Sequence, residues 1–341
     1  MSSAPAITKG RVEWVDTAKG ICIALVVFNH VFLLLPDFKE VCPSVVYYFF
    51  NSFRMPLYFF LSGLFFKTYG SFGNFATKKT NKLIIPFLFF YLVSCVFRAA
   101  ETSMLQPGQD IPVLGYVLDF YQNHCQAVNG PLWFLLCLFE VNIIFFVLYT
   151  LCRNRLQLGV CSALCGILGL SFSYWGIDLP VTVDTAFTCT PFYFAGHYVR
   201  HHTGLLYTSP VDNHLLLSAG VCSLPSLLIA RYVMYYTNTF YKTAYFTAHL
   251  CGIAGSLMIL LLSKWMGKIP VVTYWGRYSI IILCTHIIIL NILTDTLFSG
   301  TLTMLSIITL FLTLMLIETL LIPVFVKYLP YVTAQKDLLR S

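Results

Sequence analysis

The stretch Trp14-Val-Asp16-Thr-Ala-Lys19-Gly20-Ile-Cys-Ile-Ala-Leu-Val-Val-Phe-Asn29-His30-Val-Phe-Leu-Leu-Leu-Pro36 decides how this chain is read. It is long and apolar enough to cross a bilayer as a helix, yet it carries Asp16, Lys19, Asn29 and His30. At 100° per residue, Lys19 and His30 differ by only about 20° around the axis, and Asp16 lies about 40° to the other side of His30. All three share one stripe. Lys19 and His30 are separated by roughly 16 Å along the helix, about half the hydrocarbon thickness. An ionisable side chain at that depth is costly and marks a functional site by default.

Working outward, the composition agrees with a membrane setting. Hydrophobic residues make up 58% of the 341 positions and charged residues only 10%, against about 25% charged in a soluble domain. The first apolar segment is not followed by a small-residue cleavage pattern and is expected to be a retained helix. Twelve cysteines show no paired spacing and read as small apolar fillers, with Cys42 and Cys125 in outer loops as the one conceivable bridge. Neither a metal site nor a nucleic-acid partner is expected; C-x-x-C and H-E-x-x-H patterns are absent.

At roughly 20 residues per crossing the chain divides into about ten helices, near 15–36, 44–67, 83–101, 131–152, 156–177, 182–200, 214–232, 244–264, 277–298 and 302–326. The expected fold is therefore an all-α polytopic membrane protein forming one domain over 1–341. With the N-terminus inside, fifteen Lys/Arg fall in inner segments and three, Lys39, Arg231 and Lys242, in outer loops. That asymmetry places both termini, 1–14 and 327–341, in the cytoplasm. The longest outer segment, Thr102 to Gly130, is too polar for another span and fits a connecting loop or a substrate-contacting lid, with a short interfacial helix around Val113–Phe120.

Three constellations carry chemistry. His30 suits general-base work because imidazole titrates near neutral pH; a packing hydrogen bond to a neighbouring helix is its other reading. Arg54 lies at the outer part of the second helix, with Ser62-Gly63 deeper, where a small pair permits close helix approach. Lys78, Lys79 and Lys82 precede Ile85-Pro86 on the inner side, as the positive-inside rule predicts or as a phosphate-binding cluster would require.

Asp16-Thr-Ala-Lys19-Gly20-Ile21, His30 eleven residues after Lys19, and Met55-Pro56-Leu57-Tyr58-Phe59-Phe60-Leu61-Ser62-Gly63 resemble the acyltransferase type 3 family of integral membrane acyltransferases. Leu132-Trp133-Phe134-Leu135, Pro191-Phe192-Tyr193-Phe194-Ala195-Gly196 and Gly276-Arg277-Tyr278-Ser279 leading to His286 fit the same pattern. The resemblance is closest to the sugar O-acetylase branch, including fucose 4-O-acetylase-like proteins. It implies that the basic-x10-His pair, here Lys19 and His30, carries the essential histidine, and that Lys79 and Lys82, beside Lys78, contribute to binding acyl-coenzyme A. Arg54 departs from a histidine common in that branch.

The resemblance implies acetyl transfer from cytosolic acetyl-coenzyme A to a carbohydrate hydroxyl at a bacterial inner membrane. His30 acts as base or as acyl carrier. Glu140 and His286 are further catalytic candidates that share the membrane interior, each with an interhelical hydrogen bond as its plainer role. Arg54, Asp16 and Trp133 are candidates for holding substrate. His249, His197, Glu318 and the His201-His202 pair read as packing or interface residues. A secondary transporter would also tolerate buried charges, although matching broken segments in two halves are not evident.

Overall fold

A computed structural model describes residues 12–34, 49–105, 112–122, 124–177, 179–203, 213–235, 237–297 and 303–340. Among the described residues there are helices and turns and no strand. The helices are α1 (Glu13–Phe32), α2 (Arg54–Leu64), α3 (Phe72–Lys79), α4 (Ile85–Leu105), α5 (Val113–Gln122), α6 (Trp133–Leu151) and α7 (Arg155–Trp175). They continue as α8 (Val183–His202), α9 (Asn213–Tyr235), α10 (Thr237–Met266), α11 (Pro270–Arg277), α12 (Ser279–Leu297) and α13 (Met304–Tyr328). A π turn, Thr80–Ile84, joins α3 to α4, and a 3₁₀ turn, Gly130–Leu132, leads into α6. Cys42, one half of the conceivable bridge to the buried Cys125, lies outside the described residues.

Among the described residues, seven segments are long and apolar enough to cross a membrane, and they coincide with seven of the ten expected spans. The other three expected spans are not among those seven. In the second, the described residues give helical residues at 49–51 and then the 11-residue α2. In the seventh, within α9, the described residues give an apolar helical stretch over His214–Leu228. The sixth, α8, has a membrane-spanning length of 20 residues but carries Asp184, Arg200 and three histidines. It packs against α2, α6 and α7 inside the bundle, and among the described residues Asp184 Oδ1 and His197 Nδ1 are buried there without a hydrogen bond.

The helix that opened the reading is the most enclosed. Of the α1 window 67% is buried, against 22% for α7, so α1 is an interior strut and α7 a lipid-facing one. It contacts α2, α10, α11, α12 and α13. Two crossings depend on missing side chains. A Cβ on Gly276 would run into the backbone of Asp16 and Gly20, and one on Gly63 into the backbone of Tyr193. The first locks α11 onto α1; the second locks α2 onto α8, the close approach that Ser62-Gly63 suggested.

Candidate active site

His30 sits in the last turn of α1, half-buried. Its Nδ1 lies 2.8 Å from the Val26 carbonyl, which can only accept, so Nδ1 carries the hydrogen. The same holds for His286 in α12, whose Nδ1 donates to the Ile282 carbonyl at 2.7 Å. That assignment leaves His286 Nε2 as a lone pair, and it faces His30 Nδ1 at 3.4 Å. The two rings are 5.1 Å apart between centroids. The hydrogen on His30 Nδ1 is thus shared by two acceptors, and the lone pair of a neutral His30 is left on Nε2. Among the described residues, no hydrogen bond occupies that nitrogen.

His30 borders a cavity of about 110 Å³ lined also by Val26, Arg54, Met55, Gln126, Gly130, Pro131, Trp133 and Leu283. Arg54 enters from the first turn of α2, where its carbonyl accepts from Cys22 Sγ at 2.7 Å. Trp133 opens α6, placed by the 3₁₀ turn before it. Gln126 comes from the loop after α5. There the buried Asp119 carboxylate accepts the amides of Ala127 and Val128 at 2.9 and 3.1 Å, fixing a turn that contains left-handed His124 and Cys125. Asn129 pins the end of the loop by donating to Ser94 Oγ and the Cys284 carbonyl, both at 3.0 Å. The long segment between α4 and α6 does carry a short helix, as expected, and its end forms a wall of the His30 cavity.

A second cavity, about 390 Å³, is lined by Lys19, Lys78, Lys79 and Lys82 with Tyr58, Ser62, Tyr69 and Ser279 and an apolar floor that includes Phe134, Leu135 and Leu283. The π turn matters here. It inserts a wide turn between Lys79 and Ile85, and such turns recur at functional sites because they re-aim a helix face. Lys79 Nζ also stands 5.4 Å from the centroid of the Phe75 ring. Tyr58 ties the cavity wall to α1 by donating to the Lys19 carbonyl at 3.2 Å. Leu283 of α12 lines both cavities.

A family model for an acyltransferase domain matches residues 12–325. The chain belongs to the acyltransferase 3 family. No curated protein and no solved structure matched the chain. Membership and the seven apolar helices together make it an integral membrane acyltransferase.

In this acyltransferase the expected site residues fall into three groups. His30, Arg54 and Trp133 share the small cavity, and Lys19, Lys78, Lys79 and Lys82 share the large one. His286 touches His30 but does not line either cavity. Glu140 and Asp16 stand apart. The Glu140 carboxylate accepts from Thr182 Oγ1 at 2.6 Å and lines neither cavity. Asp16 is buried at the opposite end of α1, roughly 21 Å from His30 along the axis.

Gln126 escaped the sequence, giving no periodic signal because a turn, not a helix face, presents it. Glu318, expected as a packing or interface residue, is fully buried, with Thr285, the neighbour of His286, 2.8 and 2.9 Å from its two carboxyl oxygens.

Proposed function

We propose that the protein transfers an acetyl group from acetyl-coenzyme A to a carbohydrate hydroxyl, with His30 as the general base. The observation that carries this reading is the shared Leu283 wall. It borders both a basin rich in ammonium groups, suited to the phosphates of a coenzyme A donor, and a chamber with an imidazole, suited to the reacting thioester. Both termini are cytoplasmic in this proposal and the chain crosses a bacterial inner membrane ten times, so the lysines face the cytosol and the donor enters there.

The pantetheine arm runs from the lysines along α1 past Leu283. The acceptor hydroxyl enters from the loop side, its sugar ring against the Trp133 indole and its polar groups within reach of Arg54 and Gln126. His30 Nε2 takes the hydroxyl proton as the oxygen attacks the thioester carbonyl carbon. The tetrahedral intermediate collapses, the carbon–sulfur bond breaks, and the proton on His30 passes to the departing sulfur. An ester and free coenzyme A result. While His30 is protonated, its Nδ1–H stays shared between the Val26 carbonyl and His286 Nε2, both of which favour the cation.

The test is acetyl transfer by purified protein in detergent, with no ion gradient, followed by coenzyme A release. His30→Ala is expected to lower kcat by at least about a thousandfold while leaving the donor Kd and the chromatographic profile unchanged. Normal turnover by that variant would remove His30 from the reaction. Absence of any transfer by the parent protein across a panel of sugar acceptors, together with gradient-driven solute uptake in vesicles, would favour a transporter.

A further inference from the structure

Beyond α13 the chain folds back over the π turn. Thr333 N–H donates to the Leu329 carbonyl at 3.2 Å, and the amides of Gln335 and Lys336 both donate to the Pro330 carbonyl at 2.9 Å. Ala334, between them, is left-handed with φ 60°, a conformation that residues with a Cβ rarely adopt. The turn aims the Ala334 carbonyl at Lys82 Nζ, 2.7 Å away. Further along, Asn81 clamps the tail. Its Oδ1 accepts from the amides of Leu338 and Leu339 at 2.8 Å each, and its Nδ2 donates to the Leu339 carbonyl at 2.9 Å.

With its backbone held on both sides, Asp337 reaches two of the basin lysines at once. Oδ2 is 2.7 Å from Lys78 Nζ and Oδ1 is 3.1 Å from Lys82 Nζ. These two ammonium groups hold the Asp337 carboxyl below the usual carboxylate range. It is therefore an anion at neutral pH. The pairs are also partly exposed, with 30% of the Asp337 side chain open to solvent, and exposed ion pairs are weak and easily exchanged. The family match ends at residue 325, before this tail begins.

We propose that Asp337 is a built-in competitor for the anionic end of the donor. It holds Lys78 and Lys82 while no donor is bound, and a donor phosphate displaces its carboxylate while Asn81 keeps the tail backbone in place. The proposal rests on the reading that the basin lysines hold donor phosphates. The Asp337 carboxylate takes a contact from each ammonium group and offsets their charge, so a donor phosphate meets a weaker field while the carboxylate is in place. Nothing covalent is exchanged; the tail sets how much donor is needed to fill the basin.

The experiment compares the full-length protein with Asp337→Asn, measuring coenzyme A binding by calorimetry and the acetyl-coenzyme A KM in detergent. Removing the competing charge is expected to lower both constants about three- to tenfold with kcat unchanged, and the gain should shrink as salt is raised. Constants that are unchanged, or raised, would overturn the proposal; raised ones would mean that Asp337 positions the lysines. A Lys78→Ala/Lys82→Ala variant separates the two levels. If it leaves donor binding unchanged, the donor reading of the basin fails and the competitor falls with it. If it weakens binding and Asp337→Asn fails to strengthen it, only the competitor falls. Asp337 is a surface residue, and size-exclusion chromatography confirms that its variant folds.

Discussion

The two cavities are built on opposite principles. The lysine basin is the larger, about 390 Å³ against 110 Å³, and four cations line it. The His30 chamber holds one imidazole, one guanidinium, one indole and one amide, each delivered by a different element. The basin can select by charge and tolerate positional play, because ammonium groups act as point charges on flexible stems. In the proposed reaction the chamber selects by geometry, since a general base needs its proton within hydrogen-bond reach. Substitutions in the chamber should therefore show in kcat or in the acceptor KM, and substitutions in the basin in the donor KM.

The comparison breaks most readily at His286. Replacing it with Leu removes the acceptor facing His30 Nδ1 and is expected to reduce kcat about a hundredfold with the donor KM unmoved. His286→Gln, whose amide oxygen can accept in its place, should recover part of that loss. Equal damage by the two variants in thermal stability and activity would make the residue a packing element alone.

A smaller effect is expected in the basin. Lys79→Ala should raise the acetyl-coenzyme A KM about tenfold, most strongly at low salt, and leave kcat nearly intact. A fall in kcat instead would show that the basin aligns the thioester as well as capturing the donor. The smallest effect concerns Trp133. Trading its indole for Ala should raise the acceptor KM about fivefold without changing donor binding. A change confined to the donor side would place the indole on the pantetheine path.

Much of this arrangement could be read before any coordinates. Seven spans stand where hydropathy put them, because a run of apolar residues has few alternatives in lipid. Lys19 and His30 each reached a cavity because both sit on one regular helix, where angular position follows from spacing alone. Lys78, Lys79 and Lys82 came together for the same local reason. What stayed hidden depends on contacts between distant parts of the chain. Glu140 sits at a depth suited to orienting a histidine, but Thr182, in the turn before α8, takes its carboxylate. Asp337 is an ordinary tail residue until the fold brings it 259 positions back along the chain to Lys78. Polar α8 fails a hydropathy test because its environment is protein, which composition alone does not reveal.

The Leu283 wall bears on a danger common to proteins that open toward both faces of a membrane. In the proposed orientation the basin opens toward the cytosol and the chamber toward the far side, and Leu283 lines both. A continuous file of water through the two would conduct protons down the membrane potential, with His30 as a relay station on the way. An apolar side chain bordering both cavities disfavours such a file, while in the proposed reaction the flexible arm of the donor would pass it.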